Sequence, residues 1–374
     1  MIFPLLSALA LTLATLLLVG VVGLAMLAIR KPQRRYWRAA LWLHAGLFVL
    51  HLFVTFPAVL GGYISRGFVG TRTDERTYQG PRVGADGALL VQSWASLKAE
   101  RLAGKPAVDA AIVDAARARQ RTIPSSDGVT LRAFRLEAKR EPPVATAILV
   151  HGLFRSAMEV EPVAALLHEQ GCECWLVEPR NFGGSSKAAF TIGQRESDDV
   201  VAAVQFVRTQ PGRAQTPLVL FGVSLGTVAV SLALPRLDRI GGVVLDAPID
   251  DVSMAADRLL GVIAQRAPLF AIDQPWRSLV LRSLELWSDI DLTSICPVEV
   301  LATLPHDLPV LVVGAGIDDR APPATVEQLF ARLPMPSTSK RLWMVTGSAH
   351  GHVFLDEPAG YAERLRWLLA NLRP

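Results

Sequence analysis

Cysteine is scarce in this chain, and the motifs of metal and phosphate chemistry are missing from it. The 374 residues include three cysteines, Cys172, Cys174 and Cys296. An odd, sparse count argues against a disulfide framework and falls short of a four-ligand zinc site. Since no glycine-rich phosphate loop and no metal-ligand cluster is visible, we expect no cofactor and no metal. The net charge is only +4, without a dense basic stripe, which argues against nucleic-acid binding.

Two long apolar runs open the chain. Residues 2–29 contain no charged side chain, and a second apolar run extends from Ala39 to Ile64. A helix of the first length measures about 42 Å, against a hydrocarbon core of ~30 Å, and the second run also exceeds the ~20 residues needed to cross. No basic residue precedes the first run, as it would in a cleaved signal peptide. We therefore predict a two-helix membrane anchor over residues 1–64.

The short segment between the two runs is basic. It contains five basic residues and no acid: Arg30, Lys31, Arg34, Arg35 and Arg38. The positive-inside rule places such a loop in the cytoplasm. We therefore expect the second run to cross and the C-terminal domain to lie on the outer, or periplasmic, side of the inner or plasma membrane. If the second run does not cross, the domain is cytosolic.

A change of pattern marks the remaining domain boundaries. Residues 65–120 predict a juxtamembrane linker with two helix-like stretches, and residues 121–374 alternate short apolar strands with helices. Such alternation is typical of a parallel sheet covered by helices on both faces. The predicted strands are Val129–Leu136, Ala145–Val150, Glu173–Val177, Leu218–Phe221, Gly242–Leu245, Val310–Val313 and Arg341–Val345.

A serine motif follows one of these strands directly. Strand Leu218–Phe221 runs into Gly222-Val223-Ser224-Leu225-Gly226, and an apolar helix follows at once. A Gly-x-Ser-x-Gly string requires this strand–turn–helix context. The tight turn strains the serine backbone and leaves no room for side chains two residues to either side. The string alone is a weak signal, and its context makes Ser224 the candidate nucleophile.

With this motif the chain resembles the α/β-hydrolase superfamily of serine esterases and lipases over about residues 120–374. His151-Gly152-Leu153 follows a predicted strand, where the family has its oxyanion loop. Residues 178–185, EPRNFGGS, are similar to the family's Asp-x-Arg-x-x-Gly-x-Ser segment, with glutamate replacing aspartate. The resemblance implies an α/β-hydrolase fold, a mostly parallel sheet flanked by helices. It also implies a helical cap at about residues 250–305. In this chain we expect two transmembrane helices to precede the fold.

The resemblance also implies a base and an acid. A serine hydroxyl is a weak nucleophile until a base takes its proton. The segment after the last strand resembles the family's Gly-x-x-His loop and points to His350, with His352 as the fallback. The acid falls between serine and histidine in the chain. The family's aspartate, followed four residues later by proline, matches Asp318, and the adjacent Asp319 is the alternative.

These residues predict the chemistry of acyl transfer. His350 takes the proton from Ser224, and Asp318 holds the imidazole in its productive tautomer. The backbone amides of Leu225 and Leu153 are predicted to hold the oxyanion, helped by the positive end of the helix that begins at Leu225.

We therefore expect a membrane-anchored serine hydrolase that cleaves a carboxylic ester through an acyl-enzyme. The apolar residues of the predicted cap favour a hydrophobic, lipid-like small-molecule substrate. Two alternatives stay open at this point: a peptidase or amidase with the same triad, and a non-catalytic binding protein with this fold. The sequence does not define the oligomeric state.

Overall fold

The structure is a computed structural model of the chain. It describes residues 10–17, 20–21, 34–70, 83, 88, 99, 117–125, 127–153, 155–266, 272–288 and 290–373. The chain divides into two compact units. The helical unit combines Met1–Gly67 with Ala256–Leu292, and the sheet unit combines Phe68–Ala255 with Thr293–Pro374.

The described regular elements are numbered separately for strands and helices. The strands are β1 Gln120–Pro124, β2 Thr130–Leu136, β3 Thr146–Val150, β4 Glu173–Glu178, β5 Leu218–Val223, β6 Ile240–Asp246, β7 Val310–Ile317 and β8 Lys340–Ala349. The α-helices are α1 Arg34–Leu50, α2 Phe56–Gly70, α3 Glu161–Glu169, α4 Glu196–Arg208, α5 Leu225–Ala233, α6 Val252–Arg266, α7 Trp276–Ser288, α8 Pro297–Leu301, α9 Pro323–Arg332, α10 Val353–Asp356 and α11 Pro358–Ala370. A π-helical turn, His51–Thr55, joins α1 to α2.

An eight-stranded mixed sheet forms the centre of the sheet unit, in the order β1-β2-β4-β3-β5-β6-β7-β8. Strand β2 pairs antiparallel with β1 and β4, and all pairings from β4 to β8 are parallel. Strands β3 to β6 are buried along their whole length, as expected of parallel strands covered on both faces. The carboxyl ends of β5, β6, β7 and β8 therefore meet at one edge, which is where sites form in such sheets.

The helical unit has a core of its own, to which the second apolar run and helix α7 both contribute. Its buried members are Leu52, Phe56, Ile272, Trp276 and Val280. The indole N–H of Trp276 donates to the carbonyl oxygen of Leu52 at an N···O distance of 3.1 Å. Among the described residues, one helix, Leu41–Ser65, is long and apolar enough to cross a membrane.

The predicted α/β architecture is confirmed, and the chain segments around it are described in part. In the first apolar run, residues 10–17 and 20–21 are helical, and the rest lies outside the described residues. The two helix-like stretches predicted within residues 91–119 also lie largely outside them. The sequence reading missed β1, an edge strand that ends in proline and buries only Ile123. It therefore lacks the apolar alternation by which strands are recognised.

Candidate active site

Ser224 lies in the turn between β5 and α5. Its backbone has φ 53° and ψ −119°. Residues with a side chain rarely adopt this conformation, because it costs about 1–3 kcal/mol. Two sets of hydrogen bonds hold it there. The Ser224 N–H donates to the carbonyl oxygen of Asp246 at 2.9 Å. The N–H and hydroxyl of Thr227 donate to the Ser224 carbonyl oxygen at 2.9 and 2.6 Å.

The two flanking glycines are required because side chains there would collide with backbone atoms. A Cβ atom on Gly222 would lie 2.5 Å from the carbonyl oxygen of Gly226. A Cβ atom on Gly226 would lie 2.4 Å from the carbonyl oxygen of Val150, the last residue of β3. Glycine therefore allows α5 to begin against the end of β3, and this position brings Ser224 to the carboxyl edge of the sheet.

The structure brings Ser224, His350 and Asp318 together. His350, in the loop after β8, has its Nε2 atom 2.7 Å from Ser224 Oγ and its Nδ1 atom 2.7 Å from Asp318 Oδ2. The Asp318 side chain, just after β7, is fully buried, and that of His350 is 12% exposed. The other carboxylate oxygen of Asp318 accepts hydrogen bonds from the N–H groups of Arg320 and Ala321 at 2.8 and 2.9 Å. An ionised carboxylate can only accept hydrogen bonds, so it favours the tautomer in which His350 Nδ1 carries the proton. The unprotonated Nε2 atom can then accept a hydrogen bond from the serine hydroxyl.

The two alternative residues lie elsewhere in the same loops. Asp319 is exposed, whereas Asp318 is buried against His350. His352 is partly buried at the beginning of the short helix α10. Geometry therefore places the first choices, rather than the alternatives, in the hydrogen-bonded chain that ends at Ser224.

The predicted oxyanion residues lie at the ends of neighbouring elements. Leu225 opens helix α5, where backbone N–H groups have no acceptor within the helix, and Leu153 follows β3. The adjacent N–H of Gly152 donates to Glu159 Oε2 at 2.7 Å. The Glu159 side chain is 12% exposed and also pairs with Arg155 at 3.4 Å. Glu159 thus fixes the loop that carries Leu153. No motif in the sequence marks Glu159 for this role.

Asp246 is a second buried carboxyl near the candidate nucleophile that the sequence reading missed. It is fully buried at the end of β6, and its Oδ2 atom accepts a hydrogen bond from the Tyr361 hydroxyl at 2.8 Å. Burial raises the pKa of Asp246 to about 7, while the Tyr361 hydrogen bond acts in the opposite direction. A lone acidic residue closing an otherwise apolar strand was the available signal.

Glu178, which replaces the family's aspartate, holds the neighbouring loops together. Glu178 Oε2 accepts from Arg132 Nε at 2.6 Å and from the Gly184 N–H at 3.0 Å. Its Oε1 atom accepts from the Ala157 N–H at 3.2 Å. A Cβ atom on Gly183 would lie 2.0 Å from this carboxylate, so the longer side chain fills space that only glycine leaves free.

No metal-ion site is found in the part of the chain that the structure describes, and two of its cysteines are deeply buried. Groups of three or more His, Cys, Asp or Glu side chains that could hold a metal ion do not occur there. Burial raises the pKa of Cys172 to about 12 and the pKa of Cys174 well above its ordinary value. Since the thiolate is the reactive form, both cysteines are inert packing residues.

The comparisons with known proteins agree with the fold of the sheet unit. A model of the alpha/beta hydrolase family matches residues 147–364, more than half of the chain. No curated protein matches the sequence. An esterase from Pyrococcus furiosus, Pf2001, is similar in structure at 18% identity and a TM-score of 0.56, over 68% of this chain and 91% of that one. The alpha/beta hydrolase GrgF from Penicillium sp. sh18 is similar at 17% identity and a TM-score of 0.52, over 68% and 98%. The chain belongs to the alpha/beta hydrolase family.

Proposed function

We propose that the protein is a serine hydrolase that cleaves a carboxylic ester through an acyl-enzyme on Ser224. The observation that carries the proposal is the position of the His350 imidazole, 2.7 Å from Ser224 Oγ on one side and 2.7 Å from Asp318 Oδ2 on the other. A hydroxyl, an imidazole and a buried carboxylate in this order activate a serine for attack on a carbonyl carbon.

The first half of the reaction forms the acyl-enzyme. His350 Nε2 accepts the proton of the Ser224 hydroxyl as Oγ attacks the ester carbonyl, and the Asp318 carboxylate stabilises the resulting imidazolium. The negative charge on the carbonyl oxygen is held by the N–H groups of Leu225 and Leu153, with Leu225 at the positive end of α5. When the tetrahedral intermediate collapses, the C–O bond to the alcohol breaks and His350 gives its proton to the leaving oxygen.

The second half releases the acid and restores the serine. His350 takes a proton from water as the water oxygen attacks the acyl carbon, and the same amides hold the oxyanion. The bond to Ser224 Oγ then breaks, and the proton returns from His350 to the serine. The reaction needs only ester and water, and it yields an acid and an alcohol.

Labelling and turnover of a serine variant test this mechanism. Ser224→Ala should lose labelling by a fluorophosphonate probe and lower kcat by about 10⁶-fold, the scale seen when a triad serine is removed. Ser231→Ala is the matched control, because Ser231 is buried in helix α5, which begins directly after Ser224, and its hydroxyl has no hydrogen-bond partner. Near-normal turnover by Ser224→Ala would overturn the mechanism, whereas the control should remain active.

For the substrate we propose a hydrophobic, lipid-like ester, which the apolar N-terminal region of the chain supports. The P. furiosus protein that shares the fold is an esterase. A series of p-nitrophenyl esters should show kcat/KM rising from acetyl to octanoyl, and faster cleavage of acetyl would contradict this preference. Aminoacyl anilides in the same panel should be cleaved poorly, and efficient cleavage of them would favour an amidase instead.

We also propose that the protein is attached to a membrane through its N-terminal apolar segments. The second of these leaves nine large apolar side chains exposed: Leu41, Trp42, Leu43, Val49, Leu50, Phe53, Val54, Val59 and Tyr63. Soluble proteins seldom expose a contiguous apolar surface of this kind. Flotation of the full chain with vesicles of phosphatidylcholine and phosphatidylglycerol tests the attachment, and a protein that stays at the bottom of the gradient would contradict it.

A further inference from the structure

Helix α7, which belongs to the predicted cap, packs lengthwise on the second apolar run. At one end the Trp276 indole N–H donates to the Leu52 carbonyl oxygen at 3.1 Å, and at the other the Trp287 indole N–H donates to the Ala58 carbonyl oxygen at 3.0 Å. The Trp276 ring also stacks on Phe53, with ring centroids 5.6 Å apart. The two helices are thus joined by hydrogen bonds about three turns apart along α7.

Two glycines allow the helices to approach closely. A Cβ atom on Gly61 would lie 2.7 Å from Ser283 Cβ and 2.8 Å from the backbone nitrogen of Leu284. A Cβ atom on Gly62 would lie 3.1 Å from the Trp287 ring. Another glycine of the same apolar run, Gly46, has nothing within 4 Å of its Cβ position. The close approach is therefore specific to the half of the run that contacts α7.

This half of the run has one face on α7 and another that is apolar and exposed. Leu52 and Phe56 are buried next to Trp276, and Gly61 and Ser65 are buried further along the run. Within each pair the spacing of four residues keeps the two on one side of the helix. The exposed face carries Val59 and Tyr63, which are 66% and 75% exposed. On α7 the exposed apolar residues are Leu286 and Trp287, at 79% and 59%. Because Trp287 donates to Ala58 and its ring lies against Gly62, this side chain adjoins the run, and Leu286 precedes it on α7.

Charged side chains on the cap helices limit the depth at which this pair of helices can lie. Arg277 pairs with Asp257 at 3.1 Å, and Arg282 pairs with Glu285 at 2.9 Å. A charged residue at the bilayer centre is energetically costly. If Leu41–Ser65 crossed a bilayer, Leu52 would lie near the midplane. Trp276, which is hydrogen-bonded to Leu52, and the adjacent Arg277 would then lie at the same depth.

The charges that flank the second run give an independent argument. Its N-terminal flank carries the basic segment from Arg30 to Arg38, and its C-terminal flank carries Arg66, Arg72, Arg76 and Arg82. A crossing helix normally has its basic excess on one side. Basic residues on both flanks suit a segment whose two ends face the same compartment.

We propose that Leu52–Ser65 and α7 together form a platform that binds a lipid bilayer surface, and that the second apolar run does not cross the membrane. The exposed apolar side chains of both helices enter the headgroup–acyl boundary, where an amphipathic element is buried about 5–10 Å. Tyr63 and Trp287 take the interfacial position that such rings prefer. The residues after Gly70 then stay on the cytosolic side, with the basic segment. The proposal rests on the membrane attachment proposed above and is independent of the ester chemistry.

Depth-dependent quenching tests the platform directly. Single cysteines at Leu286, Val59 and Ser337 are labelled with an environment-sensitive fluorophore in a Cys296→Ser background, since Cys172 and Cys174 are fully buried. The full chain is reconstituted in phosphatidylcholine–phosphatidylglycerol vesicles that carry either shallow or deep nitroxide lipids. Positions 286 and 59 should both be quenched more by the shallow lipid. Ser337, an exposed residue of the sheet unit, gives the quenching of a position outside the platform.

Two outcomes of this measurement would overturn the proposal. Stronger quenching of position 59 by the deep lipid, with position 286 unquenched, would mean that the run crosses and that the cap lies outside the lipid. Failure of the protein to bind vesicles would remove the bilayer as the partner. Esterase activity in detergent is measured in parallel, so that loss of the ester chemistry is recognised separately.

A pair of glycine variants tests the packing on which the platform depends. Gly61→Leu should separate α7 from the run and abolish the shallow quenching at position 286, whereas Gly46→Leu should leave it unchanged. A reporter fused to the C-terminus in cells shows on which side of the membrane the C-terminus lies. Activity of a cytosol-dependent reporter is the expected result, and activity of an export-dependent phosphatase instead would overturn the proposal.

Discussion

Replacing Asp246 with asparagine should stabilise the protein at pH 8 and have little effect near pH 4. In the fold, burial raises the pKa of this carboxyl from its ordinary 3.8 to about 7. Between these pH values the folded protein keeps a proton that the unfolded chain has released. The free energy of unfolding therefore falls as pH rises through this interval and becomes constant above it.

The magnitude follows from the width of the interval. At 1.36 kcal/mol for each pH unit, the buried carboxyl costs about 4 kcal/mol at pH 8 relative to pH 4. Asparagine has nearly the same shape, carries no charge, and its side-chain oxygen can accept the hydrogen bond from Tyr361. The variant should therefore gain stability over the wild type progressively between pH 4 and 7.

Urea unfolding of the full chain in detergent, followed by tryptophan fluorescence between about pH 5 and 8, measures this difference. Asp238→Asn is the control, because Asp238 is exposed and its replacement should not change the pH dependence. A difference between Asp246→Asn and wild type that does not vary with pH would refute the reasoning. So would a variant that is less stable than wild type at pH 8.

Three further predictions concern the residues that build the site. Asp318→Asn should lower kcat by about 10⁴-fold, because an amide no longer holds the productive imidazole tautomer; steady-state kinetics would contradict this if kcat changed little. Gly226→Ala should lower both turnover and the urea midpoint, because its Cβ atom would meet a carbonyl oxygen at 2.4 Å, whereas Gly347→Ala, with nothing within 4 Å, should keep the midpoint. Glu178→Asp should destabilise the fold by about 1–3 kcal/mol, because the shorter side chain leaves the buried Ala157 N–H unsatisfied; an unchanged unfolding curve would contradict this.

The sheet and Ser224 could be predicted from the sequence because both depend on local patterns. The parallel strands are continuous apolar runs, and their boundaries agree with the structure within a few residues, as for Ala145–Val150 against the observed Thr146–Val150. Ser224 is marked by a turn that only glycines permit, whereas His350 and Asp318 were predicted from the resemblance of their loops to the family's motifs. Their catalytic roles stay predictions until turnover is measured.

The residues that the sequence did not reveal act through contacts between distant segments. Glu159 has no motif, and its role appears only when its carboxylate is found on the Gly152 amide. Tyr361 reaches Asp246 across 115 positions of the chain. The packing of Trp276 on Leu52, 224 positions apart, could not be predicted either, because apolar cap residues fit an acyl pocket and a helix interface equally well.

The shared core of the helical unit also bears on how this enzyme can be cut or recombined. Deleting the first 67 residues to obtain a more tractable protein would uncover Trp276 and Val280 and remove Leu52 and Phe56 from the same core. The N-terminal region is therefore an integral part of the fold and cannot be removed as a simple anchor. Any relative that exchanged its leading helices would have to change the facing surface of its cap at the same time.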